Sequence, residues 1–575
     1  MQIDVRLPPA RPDGERRMRP TSTALAALLV SISLATFLPA IAPRAARADA
    51  APGRYQRPAD VPSDDELEQA GAVVGEIYID NQNIFNPEYP GENTRIFGLA
   101  NRLHIKTRAG VVRHQLLFHT GDRYSAHAVA ESERILRANR YFYDAWIKPV
   151  AWHDGKVDLM VTTRDVWTLN PGFNFGRTGG KNTTGAELEE MNLLGTGTAI
   201  SLVHREGIDR TESGVEVTNQ HALGTWTAVD LNYSDNSDGY LRQFFINKPF
   251  YALDVRGAGG LAGTDALQVD SLYDRGQIVD QFQDRGRFLE TYGGWSTGLR
   301  NGWVHRFTLG ATYDEHRFAL APLWTGPNLL PQDRKFVYPW VRYDLIQDDY
   351  LKLRNRDQIG RTEDFYLGTT AGIRLGWADR SAGSSRSALL FQTNVGQGIA
   401  PSDATTLLLS ANFTGRLEDG VLRNGVVNAA MRFYAKQSQH WLFFTTLQGT
   451  AGRRLDLDDQ ILLGGDNGLR GYPLRYQGGD SRALLTIEQR YFSNWYPFRL
   501  FRVGGAVFFD AGRTWGNAPL AAPSLGLLKD AGFGLRIGNS RSGLGNVIHV
   551  DLAFPFDGDP SIKRIQFLVQ TQERF

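Results

Sequence analysis

From Trp167 to Phe575 the chain alternates apolar and polar positions in short runs, separated by turns rich in Gly, Asp and Asn such as DNSDG at 235–239. A period of two over such runs predicts half-buried β-strands. The last run is the clearest: Ile565, Phe567, Val569, Thr571 and Phe575 fall on one face, and Arg564, Gln566, Gln570, Gln572 and Arg574 on the other. The run before it sets Ile548, Val550, Leu552 and Phe554 against His549 and Asp551. One face suits lipid and the other a wet lumen, which predicts a mainly β fold, a transmembrane antiparallel β-barrel. A slip of one residue would turn charges into lipid. Dividing residues 167–575 among hairpins of roughly 50 residues predicts about sixteen strands. A soluble sandwich or propeller also alternates, but no blade-like repeat is present.

Upstream the texture differs. VVGEIYID from Val73 alternates as a half-buried strand. Ser125 can cap a helix reading AHAVAESERILRANR, with Val129, Ser132, Ile135 and Leu136 on one face. Two strands follow, AWIKPVAW and, after the Asp154–Gly155 turn, KVDLMVTTRDVW. Residues 72–166 therefore read as a small α+β domain and 167–575 as the barrel. The polar, proline-containing stretch 49–71 reads as a linker. Before it, Arg16, Arg17 and Arg19 precede an apolar run from Ala24 to Leu38, and Ala46-Arg47-Ala48 gives an A-x-A pattern, so residues 1–48 read as a cleaved export signal. A single membrane anchor is the other reading, for which the run is short of the ~20 residues a spanning helix needs.

Composition narrows the function classes. The 575 residues carry 63 basic and 62 acidic side chains, a net +1 that gives no argument for nucleic-acid binding. With 61 glycines and 11% aromatics the chain leans toward β structure. Its lack of cysteine excludes disulfides, thiol catalysis and thiolate metal sites, and suits passage through an oxidising compartment.

The densest candidate chemistry is ILLGGDNGLRGYPL, 461–474. Its glycines permit tight turns and close packing, and Arg470 between Gly468 and Gly471 offers a rigid fork of donors able to clamp two carboxylates. Glu488 in RALLTIEQRYF shares a face with Thr486 and Arg490, and Asp510 in GAVFFDAG shares one with Phe508 and Gly512. If the neighbouring aliphatics face lipid, both carboxylates point inward. A solvated surface loop is the plainer alternative for Arg470.

These residues resemble the Omp85 superfamily, the BamA/TamA-like outer-membrane proteins of the surface antigen D15 type. The segment LLFHTGDRYSAHAVAESERILRANRYFYDAWI, 116–147, looks like the second half of a POTRA repeat. ELEEMNLLGTGTAISL, with Asn192, Gly195 and Gly197, is similar to the family's early-strand signature. The triplet Arg470, Gly471 and Tyr472, FFDAG around Asp510 and GFGLR around Gly534 resemble its loop and late-strand motifs. Where relatives carry two or more POTRA repeats, one is placed here.

The resemblance implies a protein of the bacterial outer membrane with its N-terminal domain in the periplasm, acting in insertion or translocation of client polypeptides and contacting outer-membrane lipid. It implies an inward loop that stabilises the barrel without performing chemistry. A passive pore or channel, and a dedicated two-partner-type secretion transporter, are the alternatives. The seam between first and last strands is a second candidate site. On the first strand Pro171 and Gly172 would weaken pairing with the last, which carries Phe567 and Val569, and an opened edge would offer unpaired backbone groups to a client strand; the plainer alternative is that the proline marks the junction between the small domain and the barrel. Phe575 resembles a C-terminal barrel signal, or serves as an interfacial aromatic anchor. No enzyme motif stands out. GRTGGKNT, 176–183, misses the P-loop spacing, GAGGLAG, 257–263, lacks a following helix, and His114 and His119 are poorly spaced for a metal. No cofactor is expected.

Overall fold

The computed structural model describes residues 57–543, 547–560 and 562–572. The expected export signal and Phe575 lie outside them. The described chain forms a small α+β domain followed by a closed antiparallel barrel, and none of its helices is long and apolar enough to cross a membrane.

The small domain has a three-stranded sheet of β1 (Val73–Gln82), β2 (Phe142–His153) and β3 (Lys156–Asp165), in the order β1-β3-β2. β1 runs parallel to β3, and β2 and β3 form a hairpin. The helix Ala126–Ala138 begins where the sequence places it, with the Ser125 hydroxyl accepting from the Ala128 N–H. It buries Val129 and Leu136 against Phe142, Ile147, Leu159 and Val161 of the sheet. The supposed linker is not wholly unstructured. Asp64–Gln69 is a helix closed by a Ser63/Glu66 capping box, and Leu67 enters the same core. The three acidic residues of its first turn favour the helix start, which an apolar-period reading overlooks.

The barrel has twenty strands, not about sixteen. It begins with β4 (Leu169–Thr178) and ends with the strand Gln566–Gln572. The estimate fails because six strands of nine or ten residues fit between Leu169 and Lys248, two of the connections being two-residue turns. The first such turn is Gly179-Gly180, both at positive φ, the mirror-image turn that matches strand twist. GRTGGKNT is therefore a hairpin tip, and GAGGLAG lies within the strand Gly257–Asp274.

The wall separates its faces as the alternation predicts. Val507, Phe533, Leu535, Ile548 and Phe567 are exposed on the outside, whereas Phe508, Asp510, Asp530, Arg536, His549 and Asp551 are buried inside. Because β4 leaves the small domain, odd-numbered turns between barrel strands define a far rim and the intervening ones a near rim, next to that domain.

Two segments, one from each rim, turn inward. From the far rim comes loop 454–480, with Leu463, Leu469 and Tyr472 fully buried. From the near rim comes hairpin 348–369, whose strands Tyr350–Arg354 and Thr362–Tyr366 pair only with each other. Its Leu353, Ile359 and Phe365 pack on the lumenal Tyr434, Leu442, Phe444, Phe492 and Ala506.

Candidate functional site

Arg470, Glu488 and Asp510 meet in the lumen. Glu488 and Asp510 sit on adjacent strands, Ser481–Phe492 and Phe501–Trp515, whose register pairs Glu488 with Phe508 and Thr486 with Asp510. Both carboxylates thus project inward side by side. Arg470 donates two bonds to Asp510, Nε at 2.7 Å and Nη2 at 2.9 Å, and its Nη1 donates to Glu488 at 2.8 Å. Its guanidinium lies 3.5 Å from the Phe508 ring centroid, so the planar cation is gripped at its edges and covered on one face.

Backbone packing makes this approach possible. A Cβ on Gly471 would stand 2.6 Å from Asp530 Cβ and 3.1 Å from the Pro555 nitrogen. A Cβ on Gly534 would fall 1.8 Å from Asp551 Oδ1, which explains why the GFGLR strand is glycine-rich where the neighbouring acid crosses it. Gly468 has φ of 118° and lies against Leu484, setting the bend before Arg470. Tyr472 donates its hydroxyl proton to the Lys529 carbonyl at 2.8 Å and accepts from the Lys529 N–H at 3.1 Å, riveting the loop to the wall.

The sequence reading stops at a triad; the structure holds a network. Arg490 Nε donates to the second oxygen of Glu488 at 2.8 Å and stacks 3.7 Å from Phe444. Arg536 pairs with Asp551, whose other oxygen is 3.9 Å from Arg470. Arg490 also donates to the Arg356 carbonyl at 2.8 Å, and Tyr434 donates to Asp357 at 2.9 Å, both acceptors belonging to the near-rim hairpin. The alternation of RALLTIEQRYF places Arg490 inward, but nothing local announces its partner 134 positions away.

The hairpin is in turn held by the small domain. Arg137 binds Asp364 with two bonds of 2.8 Å, Arg361 donates to the Phe142 carbonyl at 2.6 Å, and the Thr362 hydroxyl donates to Asp144 at 2.9 Å. Lys352 pairs with Glu133. At the rim itself, His127 lies 3.0 Å from Asp348, and pairing with that carboxylate raises the histidine pKa above its ordinary value despite desolvation. Beyond the lumen, loop 454–480 reaches the opposite wall. Arg475 binds Asp209 of turn 207–210 with two bonds of 2.6 Å and lies 4.3 Å over the Tyr273 ring.

At the seam, the described residues pair Val569 with Arg177, and Gln570 Nε2 donates to the Thr178 hydroxyl at 2.7 Å. Pro171 and Gly172 lie in β4, paired on their other side with Leu188 and Glu187. They lie farther along β4 toward the near rim than Arg177, the residue paired with Val569. Phe567 points outward and Val569 is half-buried.

No protein-family model matches the sequence, and no curated protein matches it. Among solved structures the chain is similar to BamA from Haemophilus ducreyi lacking POTRA domains 1-3, at 14% identity over 86% of this chain and 84% of that one, TM-score 0.36. It is similar to CdiB from Acinetobacter baumannii, at 12% identity over 87% and 73%, TM-score 0.40. It is also similar to CdiB from Escherichia coli, at 13% identity over 87% and 76%, TM-score 0.44. BamA and CdiB are proteins of the Omp85 superfamily.

Proposed function

We propose that this chain is an outer-membrane barrel of the Omp85 type that inserts or translocates other polypeptides, with a POTRA-like domain, residues 72–166, in the periplasm and the far rim at the cell surface. The observation that carries the reading is a lumen entered from both ends, by the Arg470 loop and by hairpin 348–369, beside a seam pinned at Arg177 and Val569. A passive channel gains nothing from such filling. A barrel that works by rearranging requires contacts that are specific and breakable, which ion pairs between separate segments provide. No nucleotide site is needed: client folding and transfer of apolar side chains into lipid supply the driving force.

The seam gives the test. Directly opposed residues of antiparallel strands have Cα atoms roughly 4.5–5.5 Å apart, within disulfide range. In a chain without native cysteine, Arg177→Cys with Val569→Cys forms one defined crosslink. Oxidation should deplete client proteins from the outer membrane or the medium, and reduction should restore them. Client levels unaffected by the locked seam would remove lateral opening from the mechanism.

The near-rim hairpin favours a second reading, a dedicated secretion transporter. Its ties to the small domain leave it removable as a unit. Loss of one exported species on deletion of the gene supports that reading, and broad loss of barrel proteins supports assembly.

A further inference from the structure

The helix Arg95–Leu103 is turned the wrong way for a water-soluble domain. It is fastened by Phe97, stacked 4.1 Å from Phe85, and by Asn101, which accepts from the Phe85 N–H at 3.1 Å and donates to the Phe85 carbonyl at 2.7 Å. The opposite stripe, Ile96, Leu99 and Leu103 at the i, i+3, i+7 spacing of one helical face, is left 76%, 52% and 64% exposed. No residue of this helix is buried. Arg95 and Arg102 are exposed beside the stripe.

Its position is set by the barrel. His104, which ends the helix, bonds Asp165 at 3.0 Å, the last residue of β3 before the wall. Arg108 donates its backbone N–H to the Gly195 carbonyl and its Nε to the Leu194 carbonyl, binding this segment to the first near-rim turn.

A second observation comes from the near-rim turns. Three of them carry a large apolar side chain on a left-handed backbone: Leu194 at φ 53°, Leu223 at 55° and Phe498 at 57°. That conformation is unfavourable for such residues. Leu194 and Leu223 occupy the same Leu-Gly-Thr turn, in which the threonine hydroxyl donates back to the carbonyl three positions earlier, at 2.7 and 2.8 Å. These turns aim their side chains outward: Leu223 is fully exposed and Phe498 78% exposed. Leu169 and Leu188, exposed on the adjoining wall, join the turn tips to the apolar belt.

We propose that the helix Arg95–Leu103 and the turn tips Leu194, Leu223 and Phe498 form one apolar collar that seats the small domain on the periplasmic leaflet of the membrane. The occupant is phospholipid. The collar continues the wall's lipid-facing belt, and Arg95 and Arg102 flank its leucines with the positive charge that meets headgroup phosphates, the arrangement of an interfacial helix. Seated in this way, the domain keeps a fixed orientation beside the seam.

This inference rests on the barrel spanning the membrane, and the experiment separates the two. Single cysteines are placed at Leu99, at Asp65 in the preceding helix and at the outward Val507 of the full chain, labelled with a bimane fluorophore and reconstituted in phosphatidylethanolamine–phosphatidylglycerol vesicles carrying shallow or deep nitroxide quenchers on the acyl chains. Val507 should be quenched by deep nitroxides, Asp65 by water-soluble iodide alone, and Leu99 by shallow nitroxides with at least a threefold drop in iodide accessibility relative to Asp65. Phe498→Cys, read in the same way, guards against a Leu99 variant that misfolds. If Val507 escapes the lipid quenchers, the membrane barrel itself is wrong. If Val507 is quenched while Leu99 and Phe498 remain open to iodide, or become shielded by a protein crosslinked at those positions, the collar does not contact lipid and the proposal is overturned.

Discussion

Replacing Arg470 by alanine leaves two carboxylates in the lumen with unequal fates. Glu488 keeps Arg490 at 2.8 Å, with Arg536 at 3.9 Å, whereas Asp510 loses both of its bonds to a cation. Asp510 is fully buried, and its register partner is another acid, Asp530. Removing one partner of a buried ion pair costs about 3–5 kcal/mol, since the remaining charge stays desolvated. That energy measures how firmly the loop is held, so detachment should rise by roughly a hundred to a few thousandfold. Neutralising the orphan should recover part of the loss: Arg470→Ala with Asp510→Asn should be more stable than Arg470→Ala alone. Arg470→Lys keeps the charge but not the fork or the stack on Phe508, and should fall between. The assay is the thermal midpoint of the folded band in semi-native electrophoresis, paired with thiol labelling of Leu462→Cys at the loop base. Equal midpoints and labelling in wild type and Arg470→Ala, or a double variant no better than the single one, would refute the clamp.

Gly471→Ala should reproduce the Arg470→Ala phenotype with Arg470 intact, because its Cβ meets Asp530 and the Pro555 backbone; an unshifted thermal midpoint counts against the packing argument. Arg137→Ala or Asp364→Ala should weaken the near-rim hairpin by about 1.5–3 kcal/mol, the worth of charge-assisted hydrogen bonds, and raise the frequency of openings in planar bilayers. Deleting residues 355–361 should give a steady conductance, and a silent deletion variant would show that the hairpin does not block the lumen. The His127 pair has a definite pH sign. A raised folded pKa means the stabilisation is complete below the ordinary histidine value and is lost as pH climbs through the raised one, so protease cleavage within 348–369 should quicken above that point and become pH-independent in His127→Gln.

What the sequence disclosed follows the range of the physics involved. Strand alternation is local, so the inward directions of Glu488, Asp510, His549 and Asp551 were readable from neighbours two positions away. The Ser125 cap was legible because the N–H it accepts from lies three residues on. Strand number was not, since it depends on how short each turn is, and the Leu169–Lys248 hairpins are shorter than those that follow. The hairpin 348–369 was hidden for a different reason. Nothing within it announces its partners, which lie from 77 positions away, Tyr434 for Asp357, to 227 positions away, Arg137 for Asp364. The helix Arg95–Leu103 was not placed from the sequence, and an apolar stripe by itself does not state whether protein or lipid covers it.

Arg475 and Asp209 give the loop a mechanical role apart from its clamp. Loop 454–480 springs from one arc of the cylinder and is bolted to the early hairpins across the bore, as a tie-beam holds two walls of a vault. The first strands flank the closure line, so any ovalisation that parts that line must stretch or release the beam. Spreading of the cylinder and slackening at the far rim then become a single event, and a molecule gripping the far-rim end of the beam would hold the closure shut without touching it.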